Sequence, residues 1–294
     1  MTVTAAPRSG SARSPSPAPV APASNAGSRV LRWLRRVRWY VPAIAVFVGT
    51  IGSWEFAVAN IDVQGFPLPA PSEIGSALVG SWSSGRWPIG KAAAATLFEA
   101  LGGLVIGTTA GVVVAGLTAR FATAREVMLP LAIGAGAVPI IAFAPLMNNW
   151  FGVLSPLSKM MMVAVLVFFP VVVNVARGLT QVEPAALELM RSYAASEWAV
   201  LRHVRVPNAL PYFFTALKVG TTLSLIGAIV GEYFGGTSAV LGQVIVQSAS
   251  ALRFDVTWAA IVIGAVTGIG LYLAVAALER VVIPWHASVR STEP

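Results

Sequence analysis

Few residues in this chain have the types and spacing that chemistry needs. Residues 85–92 have the spacing of a phosphate-binding loop, but Ala92 replaces the Ser or Thr that would hold Mg²⁺, and Pro88 stiffens the segment. His203 and His286 are far apart and belong to no HExxH pattern. The sequence has no cysteine, which excludes disulfides and thiolate chemistry. We therefore expect no catalytic, metal or cofactor site in this chain.

Residues 183–211 form the longest charged segment between apolar stretches. Pro184 suits the first position of a helix behind Glu183, and Ser196 suits the N-cap of a second short helix. Apolar residues at steps of three and four predict one helical face: Leu187, Met190, Ala194, Trp198 and Leu201. Such a helical pair either lies on its own membrane surface or docks against a partner.

The composition is that of an integral membrane protein. Of 294 residues, 56% are hydrophobic and 11% charged, with a mean hydropathy of +0.75. Soluble domains carry roughly 25% charged residues. The net charge of +8 would suggest nucleic acid as a partner of a soluble protein. In a membrane protein it is better explained by basic residues at one membrane surface, and we expect no nucleic-acid binding.

Apolar runs long enough to cross a bilayer divide the chain into about six spans, which predicts an all-α polytopic fold. The expected spans are residues 41–59, 92–118, 127–146, 157–176, 212–230 and 256–278. Residues 1–40 are predicted to be a disordered, basic tail, residues 41–285 a transmembrane domain, and residues 286–294 a short C-terminal tail. Ser72 and Glu73 favour a short interfacial helix after the first span, and residues 232–255 form a connection rich in Gly and Ser.

The distribution of basic residues predicts the orientation. Fifteen of the 20 Lys and Arg residues fall on one side if the spans alternate. The positive-inside rule places that side, with both termini and the 183–211 segment, in the cytoplasm. This scheme places Lys159 on the opposite side of the membrane. Lys218 lies within its span, near the start, and its long side chain can reach toward the cytoplasm.

Polar groups and helix breakers inside the spans are candidates for a transport pathway. Glu99 and Asn174 are polar residues within predicted spans, where burying a polar side chain in the membrane costs free energy. Pro139 and Pro145 interrupt the third span, and broken helices are tolerated where the backbone lines a cavity. Packing roles stay open for all four. Glu232 stands at the outer end of its span, where we expect a solvated carboxylate.

The 183–211 segment resembles the cytoplasmic loop of permease subunits of bacterial ABC importers. That loop has the pattern Glu-Ala-Ala, three residues, Gly, nine residues, Ile, one residue, Leu-Pro. Glu188 matches the Glu, Ala194 stands at the Gly, Val204 at the Ile, and residues 206–207 at the Leu-Pro. Ala194 departs from the pattern, because a Cβ disfavours the left-handed turn that Gly permits. Residues 68–74, 139–146, 210–218 and 226–233 are similar to the nitrate, sulfonate and taurine branch, and residues 189–195 to permeases for pyrimidine or riboflavin-type solutes.

The resemblance implies the type I importer fold in a bacterial plasma membrane. It implies two ABC ATPase subunits, an extracytoplasmic solute-binding protein and a second permease copy as protein partners, and membrane lipid around the permease. Residues 183–201 would be the coupling helix seated in the ATPase. Its contact residues would be Glu183, Leu187, Glu188, Met190, Tyr193, Ala194 and Trp198.

Two alternatives stay open. A secondary transporter or channel would work without ATP and would require paired intramembrane carboxylates or an internal repeat. A membrane scaffold would use residues 183–211 to bind another cytosolic protein. Under the importer interpretation the solute is a small organic or anionic molecule, and ATP is hydrolysed on a separate subunit.

Overall fold

The computed structural model describes residues 26–60, 68–83, 85–121 and 139–284, with residues 126, 130 and 134 between them. Within these residues every regular element is helical. The described residues up to Trp54 and those from Glu55 onward form two compact units by their internal contacts. The predicted tail at 1–25 and the tail at 286–294 lie outside the described residues.

The first unit contains most of α1, Ala26–Ala59. This helix includes residues 26–40, which the sequence assigned to a disordered tail. Residues 29–40 are rich in Arg, Leu and Trp, and they contain no proline before Pro42, so nothing in the local sequence stops the helix from continuing.

The second unit consists of nine further helices in the described residues. In chain order they are α2 (Pro71–Gly80), α3 (Ile89–Arg120), α4 (Phe143–Phe151), α5 (Pro156–Thr180), α6 (Pro184–Ser192), α7 (Glu197–Val200), α8 (Val206–Tyr233), α9 (Leu241–Ser250) and α10 (Phe254–Val282). Helix α5 is central, since it packs along α3 on one side and α8 on another. Val163, Val167 and Val171 of α5 are fully buried in this core.

Small residues let these helices approach closely. A Cβ on Gly107 of α3 would lie 2.5 Å from the carbonyl oxygen of Ala164, and one on Gly111 would lie 2.8 Å from Val171. On α8, a Cβ on Gly227 would lie 2.7 Å from Leu166. The glycine stripes at steps of four therefore serve helix packing within one chain, as expected for spanning helices.

Five helices in the described part of the chain are long and apolar enough to cross a membrane. They are Val41–Ala59, Ile89–Arg120, Pro156–Thr180, Glu197–Tyr233 and Phe254–Val282, and they contain five of the six predicted spans. Most of the predicted span 127–146 lies outside the described residues. Its described end is broken as the prolines predicted: a 3₁₀ turn at Ile140–Ala142 follows Pro139, and α4 begins after it.

Two short helices lie at the end of the bundle where α3, α5 and α10 begin. Helix α2 is the predicted interfacial helix, and the Glu73 carboxylate accepts a hydrogen bond from the Ala70 N–H at 3.1 Å at its N-terminus. Glu55 accepts from the Ser72 hydroxyl at 2.6 Å and fixes the same helix end. Helix α9 lies within the connection predicted at 232–255, which the sequence characterised only as rich in Gly and Ser. Its Leu241, Val244, Ile245 and Ser248 recur at helical steps and are buried.

Candidate functional site

The 183–205 segment contains α6, a reversing turn and α7. Pro184 begins α6 behind Glu183, as the sequence predicted. The helix ends in a Schellman turn, in which the N–H of Ala195 donates to Met190 O at 3.0 Å and that of Ala194 to Arg191 O at 2.9 Å. Ala194 occupies the left-handed position with φ +49°. The turn that Gly makes in the related pattern is therefore kept here by an alanine.

The second half of the segment leads directly into the bundle. Ser196 caps α7, as predicted, and its Oγ accepts from the Ala199 N–H at 3.3 Å. A single π turn, Leu201–Arg205, then joins α7 to α8 without a break. Pro207 and Pro211 cannot donate to the carbonyls one turn earlier, which explains a local departure from regular α-helix here.

Asn208 joins the two ends of the segment. Its side-chain amide donates to Gly178 O of α5 at 2.7 Å and to Gln181 O at 3.0 Å. Close packing supports the same junction, because a Cβ on Gly178 would lie 2.7 Å from the Cα of Ala209. Asn208 therefore holds the end of α5, where the 183–205 segment begins, against the start of α8, where the segment ends. Sequence reasoning missed Asn208, although its place behind Pro207 was a usable signal.

The outward surface of the segment is apolar and aromatic. Tyr193 is 75% exposed, Trp198 is 68% exposed, and Leu189 is also exposed. Leu187 and Met190 are half-buried. The prediction of one helical face from Leu187 to Leu201 is wrong, because α6 ends at Ser192 and α7 begins only at Glu197. The Schellman turn between α6 and α7 interrupts the helix, so residues before and after it do not belong to one continuous helix.

The acidic residues of the segment face solvent. Glu183 and Glu188 are exposed, and neither forms an ion pair with any residue that the structure describes. The role expected for Glu188, which is to fix orientation against a partner, therefore stays a prediction.

An ion pair fastens α8 to α10 toward the same end of the bundle. Lys218 Nζ lies 2.8 Å from Glu279 Oε2, and both side chains are largely buried. The expectation that Lys218 reaches the membrane surface is thus replaced by a specific partner on α10. Glu279 lies in a helix segment with no other nearby acidic residue, and the sequence offered no signal for this pairing.

At the opposite end, three charged side chains are buried together. Glu99 of α3, Lys159 of α5 and Glu232 of α8 are at most 5% exposed and interact electrostatically. The two carboxyl groups lie close enough to influence each other, and Lys159 interacts with both. Lys159 Nζ donates to the carbonyl of Val153 and to Asn148 Oδ1. Three helices are therefore tied by one buried polar cluster.

The same cluster holds the loops that close this end. Glu232 Oε2 accepts from the Gly242 N–H at 2.6 Å, and Thr96 Oγ1 accepts from the Leu241 N–H at 2.9 Å. Two N–H groups at the start of α9 are thereby satisfied by side chains of α8 and α3. Asn148 of α4 donates to Phe234 O at 3.1 Å.

One expectation about this cluster is corrected. Glu232 was expected to be a solvated carboxylate and is instead fully buried, because α9 folds back over it. Lys159, which the orientation scheme assigned to the side opposite the 183–211 segment, is 1% exposed beneath the loop after α4. For Glu99, predicted as either a packing partner or a pathway residue, the structure supplies Glu232 and Lys159 as neighbours.

The remaining pathway candidates lie apart from the cluster. Asn174 is half-buried in α5, and its amide donates to Pro170 O at 2.8 Å, within its own helix. Pro139 and Pro145 are exposed beside the 3₁₀ turn. No group of three or more His, Cys, Asp or Glu suited to a metal ion occurs among the residues that the structure describes.

Comparison of the sequence with known proteins identifies the family of this chain. The profile of the binding-protein-dependent transport system inner membrane component family matches residues 107–285. The chain belongs to this family. The matched region contains α4 to α10 and therefore the whole 183–205 segment.

Three relatives illustrate the range of solutes in this family. The chain is 28% identical over 270 residues to the riboflavin transport system permease protein of Chloroflexus aurantiacus, covering 91% of this chain and 98% of that protein. It is 30% identical over 184 residues to the formylaminopyrimidine transport permease protein of Halalkalibacterium halodurans, covering 63% and 73%. It is 26% identical over 270 residues to the taurine transport system permease protein of Escherichia coli, covering 87% and 96%. As an ABC permease, the chain is a transport subunit that spans a membrane several times.

Proposed function

We propose that this permease imports a small organic or anionic solute through ATP hydrolysis on separate ABC ATPase subunits. In this proposal the 183–205 segment is the coupling element in the cytoplasm, and both termini lie on the same side. An extracytoplasmic binding protein delivers the solute to the opposite end. The permease acts with a second copy of itself.

The observation that carries the proposal is the way the 183–205 segment is built and anchored. A mechanical link must be stiff, must be fixed to the moving helices and must offer a contact surface. The Schellman turn and the Ser196 cap stiffen it, Asn208 fixes both ends to α5 and α8, and Tyr193 and Trp198 present aromatic surface. Exposed aromatic side chains are typical anchors at protein interfaces.

For the solute, the relatives favour two chemistries. The names of the riboflavin and formylaminopyrimidine relatives indicate heteroaromatic ring compounds, and that of the taurine relative indicates a sulfonate. We propose a ring compound first, because the variant pattern at residues 189–195 is most similar to that group. The binding protein's ligand decides between these chemistries.

The test is uptake into proteoliposomes that contain the permease with its ATPase and binding proteins. We expect uptake only with hydrolysable ATP, and loss of ATPase co-purification when Glu188→Arg is combined with Ala194→Trp. The control is Trp150→Ala, which alters an exposed aromatic residue at the opposite end of the bundle. Normal assembly and uptake by the Glu188/Ala194 variant would refute the coupling role.

One observation favours a second candidate, transport driven by a proton gradient. Such a transporter requires paired intramembrane carboxylates, and Glu99 with Glu232 supplies a pair. The same vesicles separate the two: a pH gradient would drive uptake without ATP, and a catalytically inactive ATPase would leave uptake unchanged. We expect the opposite result, since Glu232 is engaged in holding α9.

A further inference from the structure

A cavity of about 720 Å³ lies between the 183–205 segment and the ends of α3 and α5. Arg120 from the end of α3, Arg191 from α6 and Arg205 from the π turn all line it. Its apolar walls include Leu179, Leu187 and Leu201. The cavity therefore combines three basic side chains with an apolar wall.

The positive charge in this cavity is not neutralised by the protein. Glu197 is the one acidic residue among the described lining residues. None of the three arginines has a carboxylate within 4.0 Å among the residues that the structure describes. Guanidinium groups bind phosphate oxygens in paired, planar hydrogen bonds, so three of them around one recess favour a phosphate group.

We propose that this cavity binds the phosphate head group of an anionic phospholipid. The location favours a lipid over a free anion. Arg120 is the last residue of a spanning helix, and its neighbours Leu117 and Phe121 are 50% and 56% exposed. A head group held by Arg120 would leave its acyl chains against those apolar side chains. Basic pockets between spanning helices at the cytoplasmic surface are known to suit anionic lipids.

The bound lipid would fill the space behind the 183–205 segment. Because Leu187 and Trp198 of that segment also line the cavity, the head group would support the segment from the bundle side. The cavity shares Trp198 with the aromatic surface proposed for the ATPase, whereas Tyr193 and Leu189 lie outside its lining. The inference rests on the proposed function for its cytoplasmic location, and the experiment below distinguishes a lipid from an ATPase contact.

The test compares lipid retention by the permease purified from nanodiscs that mix phosphatidylglycerol and phosphatidylcholine, with bound lipids counted by native mass spectrometry. The cavity variant combines Arg120→Gln, Arg191→Gln and Arg205→Gln. The matched control combines Arg177→Gln, Arg202→Gln and Arg280→Gln, which removes the same charge from exposed positions outside the lining. A third variant replaces the cavity arginines by lysine and tests whether charge alone is enough.

We expect wild type and control to retain phosphatidylglycerol in preference to phosphatidylcholine, and the cavity variant to lose that preference by about tenfold or more. The lysine variant should keep part of it. Equal loss in the control, or no preference in wild type, would overturn the proposal. Displacement of phosphatidylglycerol by millimolar inorganic phosphate would assign the cavity to a free anion. Loss of the ATPase partner from the cavity variant, with no lipid retained by wild type, would assign the arginines to a protein contact.

Discussion

The carboxylate of Glu232 accepts a hydrogen bond from the backbone N–H of Gly242 at 2.6 Å, in the interior of the protein. This contact joins the end of α8 to the start of α9 and buries a charge that the sequence alone would place in solvent. A Cβ on Gly242 would lie 2.6 Å from the Cβ of Glu232 and 2.7 Å from Ile229 O. The geometry at this end of the bundle therefore requires both residues.

The first prediction concerns the space at Gly242. Gly242→Ala should lower the free energy of unfolding by about 1–3 kcal/mol, because the methyl group overpacks a buried contact. Thermal unfolding of the detergent-purified protein measures the effect. Gly270→Ala is the control, since nothing lies within 4 Å of its position in α10, and it should be neutral or slightly stabilising. Equal melting temperatures for the two variants would contradict the close packing described here.

The second prediction concerns the buried charges. Lys159→Met should destabilise the protein by about 3–5 kcal/mol, because it leaves Glu99 and Glu232 without their cation. Glu232→Gln in the same chain should recover part of that loss. A double-mutant cycle should give a coupling energy of at least about 1 kcal/mol. Strictly additive effects of the two substitutions would show that Lys159 and Glu232 do not interact.

The third prediction concerns the left-handed alanine in the Schellman turn. Ala194→Gly should stabilise the end of α6 by about 1 kcal/mol, since glycine adopts φ +49° without strain from a Cβ. Hydrogen exchange of the amides of Ala194 and Ala195, which donate in this turn, should slow in the variant. Ala199→Gly is the comparison, because it places glycine inside α7 and should speed local exchange. Faster exchange in Ala194→Gly would rule out the turn.

These residues show what could be read from the sequence. Five of the six predicted spans, the start of α6 and the Ser196 cap follow from local patterns, and the described residues confirm them. The burial of Glu232 and Lys159 depends on α9 and the loop after α4 folding back, which are contacts between distant parts of the chain. The Lys218–Glu279 pair joins residues 61 positions apart. No local periodicity indicates such contacts.

At Ala194 the structure differs from what the residue type alone would predict. Residue preference alone argues against a left-handed alanine, and the sequence therefore gave reason to expect a different turn. Two backbone hydrogen bonds and the Ser196 cap outweigh a conformational cost of roughly 1–2 kcal/mol. Tertiary and capping interactions decide the turn here.

The fourth prediction concerns the clamp at the base of the 183–205 segment. Asn208→Ala should remove the hydrogen bonds to Gly178 O and Gln181 O and cost about 1–3 kcal/mol. Under the proposed function, Asn208→Ala should also lower the amount of solute taken up per ATP hydrolysed. The affinity of the permease for the ATPase subunits should fall less. Thr215→Ala is the control, because its hydroxyl donates within its own helix. Unchanged coupling in Asn208→Ala would separate this residue from force transmission.

The central claim is that the 183–205 segment contacts an ATPase subunit, and site-specific crosslinking tests it most directly. The chain has no cysteine, so one introduced at Tyr193 or Trp198 would be the only thiol in the permease. In membranes that contain the assembled complex, a short thiol-to-amine crosslinker should join either position to the ATPase subunit, and a cysteine at Trp150 should give no such product. The account would be contradicted if a cysteine at position 150 were crosslinked to the ATPase subunit. It would also be contradicted if neither position 193 nor position 198 were crosslinked in a complex that hydrolyses ATP.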